Sequence, residues 1–337
     1  MKPSTRTLLG TFALASALCS PLVYAGPYTA LYVFGDSLSD SGNDALITGG
    51  LVPSSPPYYP GRFSNGENYA DQLADLLGLP LSASQLGGTN YAYGGARTAY
   101  VAAGLPPSAQ SFNQQISGFT SSHASTDANA LYTLWIGAND MSDVLIGANP
   151  AGSPGNSINV AVSGIVNAIQ SLYLLGAENF LIPNLPDLGL VPEVLAFGPA
   201  ASAQATFLTQ TFNATLANAL NSLAPLNLNI FQFNTFSLHQ AIINQPGNYG
   251  FSNTTQACYD GYVDGSPLPT GTTPPTVCAA PNSYFYWDFE HPTAAVHQLF
   301  AQQMFEQVPE PSSILLTVLG LGLLGWHQRR PLSSATA

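Results

Sequence analysis

Positive charge is what this chain most lacks. Its 337 residues hold six lysines and arginines against eighteen acids, and only 7% of residues are charged at all. Four of the six cations, Lys2, Arg6, Arg329 and Arg330, lie in the two ends. Across residues 26–308, Arg62 and Arg97 stand against seventeen acids, a net charge near −15. Nucleic acids and anionic lipid headgroups are bound by basic patches, so this composition excludes a nucleic-acid partner and argues against an anionic lipid surface. Cysteine is nearly as scarce. Of three, Cys19 falls in the leading segment, while Cys258 and Cys278 have no histidine or further cysteine at ligand spacing, which argues against a metal site. No internal repeat and no shift of composition divides the body. Abundant Asn, Ser, Thr and Gln supply the polarity that charge does not.

What is present begins with two end segments. Residues 1–25 carry Lys2 and Arg6, an apolar run over 8–18 and the small-residue ending Val23-Tyr24-Ala25. That is the pattern of a secretory signal peptide with cleavage after Ala25, and the apolar run is short of the ~20 residues a membrane span needs. At the other end, Val308-Pro309-Glu310-Pro311-Ser312 precedes an uncharged apolar stretch over 314–326 and then Arg329-Arg330. Residues 308–337 therefore resemble the PEP-CTERM sorting signal of Gram-negative bacteria. That resemblance implies export to the cell surface or extracellular matrix, sorting and processing machinery of the cell envelope as a partner, and a transient membrane contact through the tail. An even cysteine pair in an exported protein predicts a disulfide between Cys258 and Cys278.

The body, 283 residues long, is large enough for a substantial core. Apolar runs at 31–34, 131–136, 180–182 and 229–233 read as buried strands, and residues 87–96 read as a short strand feeding a glycine-rich turn. Between them, helical periodicity or composition predicts helices near 67–77, 108–119, 158–175 and 202–223, with a last one from Pro292 to about Gln307. Residues 46–61, rich in Pro, Gly and Tyr, read as a surface loop. Residues 244–283 read as a long loop that needs its disulfide staple. Strand–helix alternation throughout predicts an α/β sandwich with about five parallel strands in one domain.

Such sheets present functional groups at the carboxyl ends of their strands. Ser37 follows the first strand, where a turn or helix start would offer backbone N–H groups to an oxyanion. Gly94-Gly95 follows the second and Asn139 the third, and Asp288-Phe289-Glu290-His291 comes late in the chain. A serine hydroxyl needs a base to become a nucleophile, and imidazole can take that proton and later deliver it. An aspartate three residues before a histidine can fold back to hold the imidazole's tautomer.

FGDSLSDSGN (34–43), GGTNYAYGGA (87–96), WIGAND (135–140) and WDFEHPT (287–293) resemble, in order, the four blocks of the GDSL (SGNH) lipase/esterase family. The resemblance implies a flavodoxin-like three-layer α/β/α fold over residues 26–307. It also implies a serine ester hydrolase acting without metal or cofactor on a lipid, an acylated small molecule or a polysaccharide ester. By position, Ser37 matches the nucleophile, His291 the base and Asp288 its orienting acid. Ser37, Gly95 and Asn139 match the oxyanion hole, with Gly94 an alternative to Gly95. Deacetylation of surface polysaccharide, or a non-catalytic surface or matrix protein on the same scaffold, are the competing readings. Asp36, Asp40 and Asn43 are expected to organise the Ser37 turn, Asp140 to secure its loop, and Asp143 to be a solvated loop or helix-start acid. Glu290 is expected to point away from the imidazole. His123, His239 and His297 are expected at the surface or in packing. Aromatic residues at 58–59, 91–93 and 284–289 are candidates for an acyl pocket or for the core.

Overall fold

The computed structural model describes residues 28–308, apart from 107 and 267–272. The proposed leader and nearly all of the sorting segment lie outside these residues. Four strands, β1 (Leu31–Gly35), β2 (Leu131–Trp135), β3 (Asn179–Pro183) and β4 (Asn229–Phe233), pair in that order, all parallel. Leu31 stands opposite Leu131, and Asn179 opposite Asn229. A parallel sheet is covered on both faces, which is why these strands read as unbroken apolar runs. Within each run the side chains still divide by parity. Leu31, Val33, Leu131 and Leu181 enter one core, while Phe34, Tyr132, Leu134, Phe180 and Ile182 enter the other.

The helices, in chain order, are α1 (Asn43–Ile47), α2 (Tyr69–Leu77), α3 (Phe112–Ser122), α4 (Ala138–Leu145), α5 (Pro154–Leu174), α6 (Pro192–Leu195), α7 (Pro199–Asn221), α8 (Thr235–Asn244) and α9 (Ala294–Gln307). Their starts follow from local chemistry. Asn68 and Ser111 close capping boxes with Asp71 and Gln114, and Ser153 caps α5 ahead of Pro154. Helices α3, α4, α5 and α7 pack on one face of the sheet, and α2, α8 and α9 on the other. The result is the three-layer α/β/α arrangement.

Two expectations need correction. The anticipated fifth strand is reduced to a single parallel bridge of Asn90 to Val33, with Val33 N–H donating to Thr89 O and Tyr91 N–H to Val33 O at 3.1 and 2.7 Å. Glycine pairs at 87–88 and 94–95 turn the chain out of the sheet on either side of it. Counting that bridge, the spatial order is that of a flavodoxin-like sheet, with its reversal of direction beside β1. The stretch 244–283 is also not wholly irregular. Strand β5 (Asn253–Ala257) pairs in parallel with β6 (Tyr284–Tyr286), and the Cys258–Cys278 disulfide joins this small sheet to the returning chain. Helices α4 and α8 were also not anticipated from periodicity.

Candidate active site

β1 can end tightly against β2 because residue 35 is glycine. A Cβ there would lie 2.5 Å from the Trp135 carbonyl oxygen. Gln115 of α3 then closes the strand end, donating to Gly35 O at 2.8 Å and accepting from Gly35 N–H at 3.0 Å. A single helical turn follows, in which Ser39 and Asp40 N–H groups both donate to Asp36 O. Ser37 projects from this turn, and the next helix, α1, does not begin until Asn43.

The carboxylates around it do organise the turn. Asp36 accepts from Leu38 N–H at 3.1 Å. Asp40, fully buried, accepts from the N–H groups of Gly42, Asn43 and Asp44 and from Gly94 N–H at 3.3 Å, which binds the serine turn to the glycine-rich turn. Asn43 Nδ2 donates to Asn90 O and Ala92 O across the same junction. Burial pushes the Asp36 carboxyl up to about 7 against the opposing Leu38 N–H bond.

The late-chain group arrives by an irregular route. Trp287 N–H donates to His291 O, and Thr293 N–H to Phe285 O, so the chain doubles back tightly before Thr293 opens α9. Inside that turn Asp288 Oδ1 accepts from Glu290 and His291 N–H at 2.9 and 2.7 Å. Its Oδ2 accepts from His291 Nδ1 at 2.7 Å, and His291 Nε2 and the Ser37 hydroxyl are hydrogen-bonded at 2.8 Å. Burial pulls the imidazole down, but Asp288 and then Glu290 outweigh it and carry His291 up to about 9. Burial would raise Asp288, yet the charge and hydrogen bond of His291 hold it below the usual carboxylate range. Glu290 itself is exposed and makes no hydrogen bond to the imidazole.

Of the paired glycines, Gly94 has its N–H committed to Asp40, and a Cβ there would strike the Phe63 ring and the Asp44 carboxylate. Gly95 adopts φ +66°, and its N–H has no hydrogen-bond partner among the described residues. Asn139, in the first turn of α4, donates from Nδ2 to Ala96 O at 3.0 Å, which ties its amide to the glycine turn. Asp140 accepts from Thr98 N–H and Oγ1 and so secures that loop, as anticipated. Asp143 does not match expectation. It is buried and takes a bidentate bond from Arg97 at 2.8 Å, with Tyr100 also donating to it. A half-buried cation beside a glycine turn is stabilised by a partner acid, and no local periodicity signals that.

Ser37, Asn139 and His291 open onto one cleft. Its walls are mainly apolar, from Leu38, Leu188, Val191, Val194, Phe285 and Phe300, and two exposed acids, Glu193 and Glu290, line it as well. Tyr58, Tyr91 and Tyr93 are not among its walls. They pack elsewhere, and of the anticipated aromatic stretches only 284–289 contributes. The wall at 186–194 was not anticipated, although it too follows the carboxyl end of a strand, β3. His239 and His297 are buried, and His123 stacks on Phe119 with centroids 4.1 Å apart. Among the described residues no cluster of His, Cys, Asp and Glu suits a metal ion.

Residues 31–304 match the family model described as GDSL-like lipase/acylhydrolase, and residues 307–330 match the PEP-CTERM protein-sorting motif, which indicates export in a Gram-negative bacterium. The chain is 32% identical over 238 residues to a phosphatidylcholine-sterol acyltransferase of Aeromonas hydrophila, covering 69% of this chain and 66% of that protein. It is 27% identical over 359 residues to Lipase 1 of Photorhabdus luminescens (88% of this chain, 53% of the relative). It is 26% identical over 327 residues to GDSL esterase/lipase 6 of Arabidopsis thaliana (86% and 90%). The chain thus spans about two thirds and about half the length of the first two.

Proposed function

This chain belongs to the GDSL-like lipase/acylhydrolase family, and from that premise we propose that it is an exported serine ester hydrolase working through an acyl-enzyme on Ser37. The observation that carries the reading is the unbroken line Ser37 Oγ, His291 and Asp288, with links of 2.8 and 2.7 Å, opening onto an apolar cleft. His291 Nε2 takes the Ser37 proton as Oγ attacks the ester carbonyl, and the imidazolium then protonates the leaving alcohol. Asp288 holds Nδ1–H and so keeps Nε2 free to accept. The tetrahedral oxyanion is met by Ser37 N–H, Gly95 N–H and the Asn139 amide; Gly95 is preferred to Gly94 because the Gly94 N–H is already taken. Water then repeats the sequence to free the acid.

The apolar walls favour an acyl chain over a bare acetyl group, so the substrate class is a lipid or other carboxylic ester. In this reading residues 1–25 are a cleaved leader, 26–307 the hydrolase domain and 308–337 a sorting segment. That segment brings the protein to envelope machinery with brief membrane contact, for display at the cell surface or in the matrix.

Hydrolysis of p-nitrophenyl esters from acetate to palmitate, by residues 26–308 and by Ser37→Ala, tests this. The expected result is a rate that grows with acyl length and disappears in the variant. Activity confined to acetate would replace it with deacetylation of a polar surface substrate. Silence from folded protein would replace it with a binding role.

A further inference from the structure

Asp288 accepts four hydrogen bonds, and three of them come from its own turn: Glu290 N–H, His291 N–H and His291 Nδ1–H. These move with the turn and cannot fix its place in the protein. The fourth comes from 230 residues away. The Tyr58 hydroxyl donates at 2.6 Å to Oδ2, the same oxygen that receives the imidazole N–H. Tyr58 sits on the proline-rich loop, is 2% exposed and lines no part of the cleft.

That phenol is itself clamped. Tyr259 and Trp287 meet its ring edge to face with centroids 5.6 and 6.0 Å away. The clamp is bolted in turn. Tyr259 N–H donates to Trp287 O at 2.6 Å, Cys258 N–H to Tyr286 O at 3.1 Å, and the next link is the Cys258–Cys278 disulfide. On the loop side, Ser54 N–H donates to Val263 O at 2.7 Å. A disulfide-stapled segment, a proline-rich loop and the Asp–His turn thus converge on one hydroxyl.

We propose that Tyr58 is a positioning residue for the acid–base pair, fixing the Asp288 carboxylate plane and drawing charge from the oxygen that faces His291. This rests on the reading of His291 as the general base. A charge-assisted bond from phenol to carboxylate is among the stronger hydrogen bonds, and the buried phenol stays protonated, since desolvation and then Asp288 raise it far above its usual range. With the hydroxyl removed, Oδ2 holds more charge and greater freedom. His291 becomes more basic, and its Nε2 is aimed less well at Ser37. The other groups bearing on His291 are Glu290 on its own turn, Asp36 beside Ser37, Glu193 on α6 and His297 on α9. None of them changes in the variant.

Tyr58→Phe keeps the ring and its packing. The expected result is a fall of about tenfold in kcat with KM unchanged, and an acid limb of the kcat/KM profile moved up by about half a pH unit or more. The His291 ring, followed by NMR in the resting protein, is expected to titrate higher by the same amount. Tyr259→Phe, which strips a hydroxyl from the same cluster but leaves the Tyr58 bond intact, is expected to change neither. An unmoved His291 titration in Tyr58→Phe, or an equal loss in Tyr259→Phe, overturns the proposal. If the Phe variant does not fold, fluorotyrosine at position 58, a stronger donor, must move the titration downward. Should no ester be hydrolysed by any form, the titration still decides whether Tyr58 governs His291.

Discussion

Ser37 and His291 lie 2.8 Å apart, yet the chain brings them there by different means. Ser37 rides on a turn that continues strand β1 of the main sheet, and its neighbours are secured by N–H groups and amides of the same buried junction: Asp40 on four N–H groups, Asn43 on two carbonyls. His291 rides on an irregular turn outside the main sheet, held by an Asx-type bond, a two-stranded side sheet, a disulfide and three aromatic rings. Regular structure needs no special residues to stay in place. An irregular segment must replace ladder hydrogen bonds with side-chain chemistry, and each replacement is a point where it can be loosened separately.

The largest effect should make no distinction between the two ends. Ser37→Ala and His291→Ala are each expected to reduce kcat by about 10⁴-fold or more while leaving the fold intact, and the double variant to be barely slower than either, because nucleophile and base act as one unit. Steady-state rates on one ester series check this, and additive losses would show that the two do not form a unit.

A smaller effect should separate them. Replacing Cys258 and Cys278 with serine frees the loop they close and is expected to cost roughly 3 kcal/mol by the loop-entropy model. Amide hydrogen exchange should then quicken over residues 253–291 while the residues around Ser37 stay protected. Equal quickening at both ends would mean that the staple supports the whole fold and not the base alone.

The smallest effect sets the two ends against each other through pH. Burial raises Asp36 to about 7, and burial together with the Asp40 charge raises Asp44 to about 8, so their contribution to stability is complete below about pH 4 and lost as pH climbs through those values. Asp40 and Asp140, raised to about 6 chiefly by burial, finish titrating earlier. The contribution of His239 and His297, lowered by burial to about 4 and 3, grows as pH rises from those values and is complete and constant above about pH 6.5. His291, raised to about 9, gives its stability below about 6.5 and loses it toward 9. Above pH 6.5 every one of these that still changes therefore acts in the same direction. The denaturation midpoint should fall from pH 6.5 to 9 while kcat/KM rises, as His291 sheds the proton that blocks it as a base. Asp44→Asn should flatten the first curve and leave the second alone.

The same contrast explains what could be read from the chain. Strands β1 to β4 and the longer helices announce themselves because both faces of the sheet are buried and the helix starts carry their own caps. Ser37, Asn139, Asp288 and His291 were legible because short polar blocks around them resemble those of a known family, and the structure brings Ser37, Asn139 and His291 to one cleft with Asp288 bonded behind the imidazole. Tyr58 was not. It looked like one aromatic among many in a proline-rich loop, and its partner stands 230 residues away. Asp143 was misread for the same reason, since its burial depends on Arg97, which a linear pattern does not connect to it. Strand β5 was missed because its partner, β6, is only three residues long and follows a disulfide excursion.

One further consequence follows from the scarcity of cations. Arg62 and Arg97 are the only lysine or arginine residues over 26–308, and each is clasped by an aspartate, Asp71 or Asp143, with side chains 20% and 15% exposed. Proteases that cut after lysine or arginine require such a side chain extended into their own pocket. Outside the cell, the folded body offers them no free handle: the two ion pairs that hold these arginines also leave a trypsin-like protease without a foothold.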